Sequence, residues 1–239
     1  MRGEFKHIFQ TPLYWYVLLG GIAARTVFAY LDFRHRTDNF FSLSTEYWSR
    51  IGSATMGFLI LLVLVHRFSM DTETGAAPIF ASTQHGRINL YCYRLVSGIL
   101  ITVFSVIILA GTNIMISNLF GADLPASENW LPIFLHHTMT AMVGAIGYYL
   151  FSACICDIFS NHAAAMCICG VPFGISYIIN IGVIKEFDLI WFLRYGFFTE
   201  LLRGRWVSSL PVFWGIWYPV MIVGVFILSI YRRKERKLL

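Results

Sequence analysis

Long apolar stretches alternate with short polar segments along the whole chain. A helix that crosses the hydrocarbon core of a bilayer needs about 20 consecutive, mostly apolar residues. Stretches close to or above that length recur along the chain, and polar residues separate them. The pattern predicts six membrane-spanning helices, at about 14–31, 51–68, 95–116, 131–155, 163–184 and 210–231.

Composition supports this prediction. Only 13% of the 239 residues are charged and 57% are hydrophobic, whereas soluble domains carry about 25% charged residues. The mean hydropathy is +0.66. Such a chain cannot cover a water-facing surface with polar groups, so a soluble nucleic-acid-binding protein is excluded despite a pI near 9.0. The predicted fold class is an all-α polytopic membrane protein, with a single transmembrane domain over residues 1–239.

Basic residues predict the orientation, because cytoplasmic loops of membrane proteins are enriched in Lys and Arg. With six spans, both termini and the second and fourth loops share one side, which holds ten basic residues against seven on the other. Five of the ten lie within the last eight residues. We therefore expect a membrane protein with cytoplasmic termini, whose C-terminal cluster contacts anionic lipid rather than nucleic acid. Residues 1–12 are amphipathic and predict an interfacial helix.

The segment 69–91 between the second and third spans carries an ordered polar pattern. Acidic residues come first, followed by a glycine, a half-apolar stretch, a Ser-Thr pair and a basic residue. Acidic side chains are favoured at a helix N-terminus, and exposed apolar side chains after them suit contact with a partner. The pattern predicts a surface helix that docks a cytoplasmic subunit through Asp71, Glu73, Gly75, Ile79, Phe80, Ser82, Thr83 and Arg87.

This order of residue types resembles the coupling segment of permease subunits of ABC-2-type transporters. Ala76 and Gln84 depart from the residues usual there. The resemblance implies a coupling helix within 69–91 that contacts a separate ATP-binding cassette ATPase. It also implies pairing with a second permease, either itself or a related chain, and export of an amphipathic peptide, lipid or drug. ATP and Mg would be bound by the partner ATPase, and this chain would hold no cofactor, metal or catalytic residue. The absence of a G-x-x-x-x-G-K-[ST] motif agrees with that division.

The segment 185–209 before the last span mixes aromatic and charged residues. By the same resemblance, it would match the re-entrant hairpin that these permeases place at the outer leaflet. An ordinary interfacial amphipathic helix explains the pattern equally well. Its candidates for a substrate route are Trp191, Arg194 and Glu200.

Three more residues are candidates for the same route. Arg25 lies inside the first span, where an ionisable residue suggests a functional site, although its long side chain is better explained by contact with the outer headgroups. His136 and His137 lie near the outer start of the fourth span. Adjacent helical residues point about 100° apart, so the two imidazoles cannot easily bind one metal ion. Interfacial histidines are the simpler interpretation.

Four cysteines flank the expected turn Asp157–His162, and no Asp or Glu is expected within the spans. In a helical hairpin Cys154 could face Cys169, and Cys156 could face Cys167. Residues two apart diverge by about 200° on a helix, so a four-thiolate metal site would need unwound ends. Buried thiols that only pack are the simpler interpretation.

Two other functions stay open at the level of sequence. One is a small intramembrane enzyme that uses His136, His137 or the cysteines. The other is a sensor or immunity-type membrane protein. Neither explains the order of residues in segment 69–91, so the exporter permease is the favoured hypothesis.

Overall fold

The computed structural model is helical, and it describes residues 6, 8–35, 44, 46–68, 86–120, 130–179, 195–205 and 213–235. No strand occurs among these residues. We number the main helices α1 to α7 in chain order. They are α1 Pro12–His35, α2 Trp48–Phe68, α3 Gly86–Phe120, α4 Trp130–Phe159, α5 over 162–179, α6 Thr199–Leu202 and α7 over 213–235.

Four helices, α1 to α4, are long and apolar enough to cross a membrane. Helices α5 and α7 carry shorter apolar stretches within the described part of the chain, His162–Ser176 and Gly215–Tyr231. The expected all-helical class is confirmed, and four helices have the length and composition of membrane spans. The count of six spans stays a prediction.

Helix α4 lies at the centre of the bundle, in contact with α2, α3 and α7. In the most apolar stretch of α2, 72% of the residues are buried, against 61% for α4 and 17% for α1. The peripheral helices expose large apolar side chains, among them Leu19, Phe28, Ile107, Val220 and Ile227. Extended apolar faces of this kind suit contact with lipid tails.

The connection between α4 and α5 is shorter than the expected turn Asp157–His162. Ser160 adopts a left-handed backbone with φ 53°, and the side chain of Asn161 accepts a hydrogen bond from the amide of Ala163 at 2.8 Å. Asp157 therefore lies inside α4 and is only 3% exposed. The expectation of spans without acidic residues is wrong for α4, because a hydroxyl group from another helix binds this carboxylate inside the bundle.

Helices α2, α5 and α7 contain π-helical segments. Two of them, Ile60–Val65 in α2 and Met166–Gly170 in α5, accept hydrogen bonds from side chains of other helices. A π turn takes carbonyl groups out of the regular hydrogen-bond ladder. The ring of His162 donates from Nε2 to the carbonyl of Leu61 at 2.7 Å. The hydroxyl of Tyr148 donates to the carbonyl of Cys169 at 3.0 Å. Side chains thus bind both π segments to neighbouring helices.

The described part of the predicted interfacial segment 1–12 packs against the bundle. Ile8 is fully buried, and the ring of Phe9 lies 5.9 Å from that of Phe104 on α3. The indole of Trp15 donates a hydrogen bond to the carbonyl of Phe9 at 2.8 Å. The apolar side of this segment therefore contacts protein as well as any lipid around it.

Candidate functional site

Most of the predicted coupling residues lie outside the described part of the chain. These are Asp71, Glu73, Gly75, Ile79, Phe80, Ser82 and Thr83, together with Trp191 and Arg194 of the segment before the last span. Arg87 belongs to the first turn of α3, but its side chain is also outside the described part. The described candidates are Arg25, His136, His137 and Glu200. Arg25 contacts α3. His137 contacts Gly204, which directly follows the α6 helix, and Glu200 belongs to α6 itself.

Residues 195–205, here called the α6 segment, fold around a helix of four residues. Gly204 follows this helix with φ +72°, a left-handed conformation that glycine adopts without strain. Its amide donates to the carbonyl of Leu201 at 2.8 Å, and the amide of Arg205 donates to that of Glu200 at 3.0 Å. This pair of bonds is the Schellman arrangement that ends helices at glycine. The sequence therefore folds the segment back immediately after α6.

The α6 segment packs closely along α4. A Cβ atom at Gly204 would lie 2.8 Å from the carbonyl oxygen of His137. A Cβ atom at Gly144 would clash with the backbone of α6, and one at Gly147 would lie 2.6 Å from the ring of Phe198. Ten residues of α4 separate the two ends of this contact, which corresponds to about 15 Å along the helix. Small residues on α4 thus provide a groove for non-spanning backbone.

The N-terminal side of the α6 segment is fixed by aromatic contacts with α7. Phe198 adopts φ 62°, which is strained for a residue with a side chain, and its ring stacks on that of Tyr218 with centroids 4.3 Å apart. The indole of Trp217 donates to the carbonyl of Gly196 at 3.1 Å, and the Tyr218 hydroxyl donates to the carbonyl of Tyr195. Packing and hydrogen bonds hold the strained conformation in place.

A buried ion pair lies within the α6 segment. Arg203 Nη1 is 2.9 Å from Glu200 Oε1, and each residue is 1% exposed. Arg203 also donates from Nη2 to the carbonyl of Ser176 on α5 at 2.9 Å. Removing two charges from water is costly, and their mutual attraction and added hydrogen bonds offset that cost. Glu200 thus neutralises Arg203, which in turn binds the segment to α5.

The two adjacent histidines have different surroundings. His137 lies 2.8 Å from the carbonyl oxygen of Gly204 through Nδ1, so this nitrogen carries the donated proton. His136 is exposed, and the two ring centroids are 6.1 Å apart. In the described part of the chain, no three His, Cys, Asp or Glu side chains are grouped so that they could hold a metal ion. The geometry gives His137 a structural role beside the α6 segment.

The sequence predicts that Arg25 extends to the outer headgroups, but its side chain is buried in the bundle. It is 5% exposed and donates from Nε to Asn113 Oδ1 at 2.9 Å. A second donor, Nη2, lies 3.2 Å from Ser117 Oγ, and the guanidinium carbon lies 5.7 Å from the centre of the Tyr47 ring. The expectation is wrong because Asn113 and Ser117 are one helical turn apart on α3 and together satisfy donors of α1. Burial raises the pKa of Tyr47, and the Arg25 charge lowers it by less.

A second buried carboxylate joins three helices, although the apolar run 131–155 predicts a fourth span that ends before it. Ser229 on α7 donates from Oγ to Asp157 Oδ2 at 2.6 Å and lies 2.9 Å from the hydroxyl of Tyr91 on α3. That hydroxyl lies 3.3 Å from the sulfur of Cys154. The four side chains, here called the Asp157 cluster, are each at most 3% exposed. The only sequence signal was an acidic residue directly after a long apolar run.

The end of α2 contacts α3 and α5, and α3 is bonded in turn to α4. The rings of His66 on α2 and His162 on α5 lie 4.7 Å apart. Arg94 on α3 donates from Nη1 to the carbonyl of Arg67 at 3.0 Å, and its own carbonyl accepts a bond from the hydroxyl of Tyr149 on α4 at 2.9 Å. Residue 69, where the predicted coupling segment begins, follows the end of α2 directly. The helix end that precedes this segment is therefore bonded to neighbouring helices.

The cysteines do not form the pairs suggested by a simple hairpin. All five lie among the described residues and none forms a disulfide; Cys154, Cys156 and Cys169 are buried, whereas Cys92 and Cys167 are exposed. Cys154 contacts Tyr91 on α3 instead of facing α5. The arrangement that a hairpin would allow for Cys154 is not adopted, because α4 is central and presents this part of its surface to α3.

Comparison of the chain with protein-family models, with curated proteins and with solved structures gave no match. The resemblance to ABC-2-type permeases therefore depends on the order of residues in segment 69–91. The structure adds two features to this pattern, namely a bundle of apolar helices and a buried segment that does not span the bundle, the α6 segment.

Proposed function

We propose that this chain is the permease subunit of an ATP-driven ABC-2-type exporter in a bacterial plasma membrane, with six spans and both termini in the cytoplasm. It pairs with a second permease, either another copy of itself or a related chain. A separate ATP-binding cassette ATPase binds ATP and Mg and does the chemistry. This chain supplies the route for an amphipathic peptide, lipid or drug and is not itself an enzyme.

The α6 segment is the observation that carries the proposal. Inside a bilayer, irregular backbone is tolerated only where protein covers it or where it lines a cavity. Side chains of His137, Trp217 and Tyr218 donate to carbonyl groups of this segment, and Gly144 gives its backbone room beside α4. These contacts support a re-entrant element within 185–209, as the family resemblance implies.

The anchored end of α2 supports a coupling role for segment 69–91. If an ATPase moves that segment, the force reaches α2 at Phe68 and passes to α3 through the bond between Arg94 and Arg67. The contact between His66 and His162 passes it to α5.

Within this proposal, the candidate route residues have different roles. Arg25 and Glu200 are bonded inside the protein and shape the walls of the route. His136 is exposed beside the residue that contacts the α6 segment, so it is placed for contact with substrate. An intramembrane enzyme is less well supported, because His137 and Cys154 are engaged in structural hydrogen bonds.

Affinity purification of the chain from membranes that contain candidate ATPases tests the proposal. We expect one ATPase to co-purify and its ATP hydrolysis to be stimulated by the exported substrate. Glu73→Ala and Arg87→Ala should each lower that stimulation about tenfold, as expected for central interface residues. Arg50→Ala is the matched control, because it removes an exposed charge from the opposite side of the proposed topology.

The proposal is wrong if no ATPase co-purifies and both coupling variants keep full function. Loss of function in His136→Ala with normal ATPase association would instead identify a substrate contact. Loss of function in His136→Ala in a preparation without any ATPase would favour the intramembrane enzyme.

A further inference from the structure

The Asp157 cluster joins α3, α4 and α7 and has no role in the proposal above. Its bonds connect residues that are 72 and 138 positions apart in the chain, namely Asp157 with Ser229 and Tyr91 with Ser229. They therefore depend on how the helices are arranged rather than on local folding. If α7 moved away from the other two helices, both bonds would break together.

Interhelical hydrogen bonds have particular weight at α7. Its outward face exposes Val220, Val223 and Ile227, and lipid tails are as apolar as these side chains. Association of helices in lipid is therefore driven by close packing and interhelical hydrogen bonds rather than by apolar burial. A hydroxyl group that donates to a carboxylate makes a bond about twice as strong as a neutral one. The bond from Ser229 to Asp157 thus fixes the position of the C-terminal end of α7.

We propose that the Asp157 cluster is a conformational lock, which holds the C-terminal end of α7 against α3 and α4 and opens when α7 moves during the transport cycle. The link to transport rests on the proposed function, whereas the holding role does not. Opening the lock separates Ser229 from Asp157 and exposes the neighbouring thiol of Cys154. The rate at which Cys154 reacts with a thiol reagent therefore reports whether the lock is closed.

The first experiment uses the full chain in membranes with Cys154 as its only thiol. The other cysteines are replaced by alanine, and labelling by N-ethylmaleimide is followed by mass spectrometry. Ser229→Ala should raise the rate at Cys154 about tenfold, because it removes a buried hydrogen bond to a charged group. Ser105→Ala should leave the rate unchanged. Ser105 is a matched control, since it is also fully buried but bonds Tyr14 on α1 at 3.0 Å.

Two further variants separate opening of the lock from general loosening of the bundle. Tyr91→Phe deletes a single oxygen atom and should also accelerate labelling, so it replaces Ser229→Ala if that variant fails to accumulate. A chain with Cys169 as its only thiol should label at the same slow rate with or without Ser229→Ala, because Cys169 is fully buried away from the cluster on α5. Equal rates in Ser229→Ala and its parent, or equal acceleration by Ser105→Ala, would overturn the lock.

The second experiment adds the partner ATPase and a non-hydrolysable ATP analogue to the Cys154-only chain. We expect the analogue to accelerate labelling in the parent and to add little in Ser229→Ala, where the lock is already open. If the first experiment succeeds, but the analogue does not change the labelling rate of Cys154 while the ATPase is bound, the link between the lock and transport is wrong. If no ATPase binds, the proposed function fails while the lock stands.

Discussion

Two carboxylates are buried in the described part of the chain, and the hydrogen bonds that hold them differ in range along the sequence. Glu200 pairs with Arg203 three residues away, within one short helix turn. Asp157 accepts from Ser229, a neutral donor on another helix. The first arrangement sets the shape of one segment, and the second sets the position of one helix against the others. The pair of Glu200 and Arg203 fixes its own segment, and Arg203 adds one bond to α5. The bond from Ser229 to Asp157 instead directly opposes separation of α7 from α4.

Arg203→Met should give the largest effect, because it leaves Glu200 charged and buried without its cation. Breaking a buried pair from one side typically costs about 3–5 kcal/mol. We expect a loss of that size in the free energy of unfolding, measured by SDS titration in mixed micelles. Replacing both residues, as Glu200→Gln with Arg203→Met, should recover most of it. If the double variant is no more stable than Arg203→Met, the pair does not govern the stability of the segment.

Ser229→Ala should cause the next largest loss in the free energy of unfolding. It tests the bond that holds Asp157 across helices. It removes the donor to the Asp157 carboxylate, which typically costs about 1.5–3 kcal/mol. Ser105→Ala removes a neutral interhelical bond with Tyr14 worth about 1 kcal/mol, and a bond back to the carbonyl of Ile101 that adds little to helix stability. Both losses can be measured by the same SDS titration. A larger loss in Ser105→Ala than in Ser229→Ala would contradict the view that Asp157 strengthens its contact.

Gly204→Ala tests whether the α6 segment, which contains the local pair, depends on a left-handed glycine at its end. The left-handed backbone costs a residue with a side chain about 1–2 kcal/mol, and the added methyl group would crowd the carbonyl of His137. We expect reduced stability and faster proteolysis within the α6 segment. Gly174→Ala is the control, since it has open space and a helical backbone and should gain about 0.5–1 kcal/mol. Equal effects at both glycines would refute the assigned strain.

The sequence predicted the positions of the long helices but not where they end. The apolar run 131–155 identified α4, yet the helix continues to Phe159 because Asp157 finds a hydroxyl partner inside the bundle. Likewise α3 begins at Gly86 rather than near residue 95, since its first turns are bonded to other helices through Tyr91 and Arg94. Hydropathy reports the preference of each residue for lipid and contains no information about such partners.

The candidate site was predictable only where a local pattern encodes it. The aromatic and charged residues of 185–209 indicated a segment that does not simply span, and residues 195–205 are buried against α4. The partner of Arg25 could not be foreseen, because Asn113 is 88 residues away and its position depends on the register between α1 and α3. Interhelical register is a property of the packed bundle, and a single sequence does not show it.

The smallest expected effect comes from the exposed counterpart of the buried pair. Arg50 Nη2 lies 2.8 Å from Glu46 Oε2, with the two side chains 57% and 51% exposed, so its geometry is as good as that between Arg203 and Glu200. An exposed pair of this spacing contributes only about 0.3–0.5 kcal/mol, and salt screens it. Arg50→Ala should therefore change the unfolding midpoint slightly at low salt and not at all in high salt, whereas the loss in Arg203→Met should persist in high salt. If both variants responded to salt alike, burial would not be what distinguishes the two pairs.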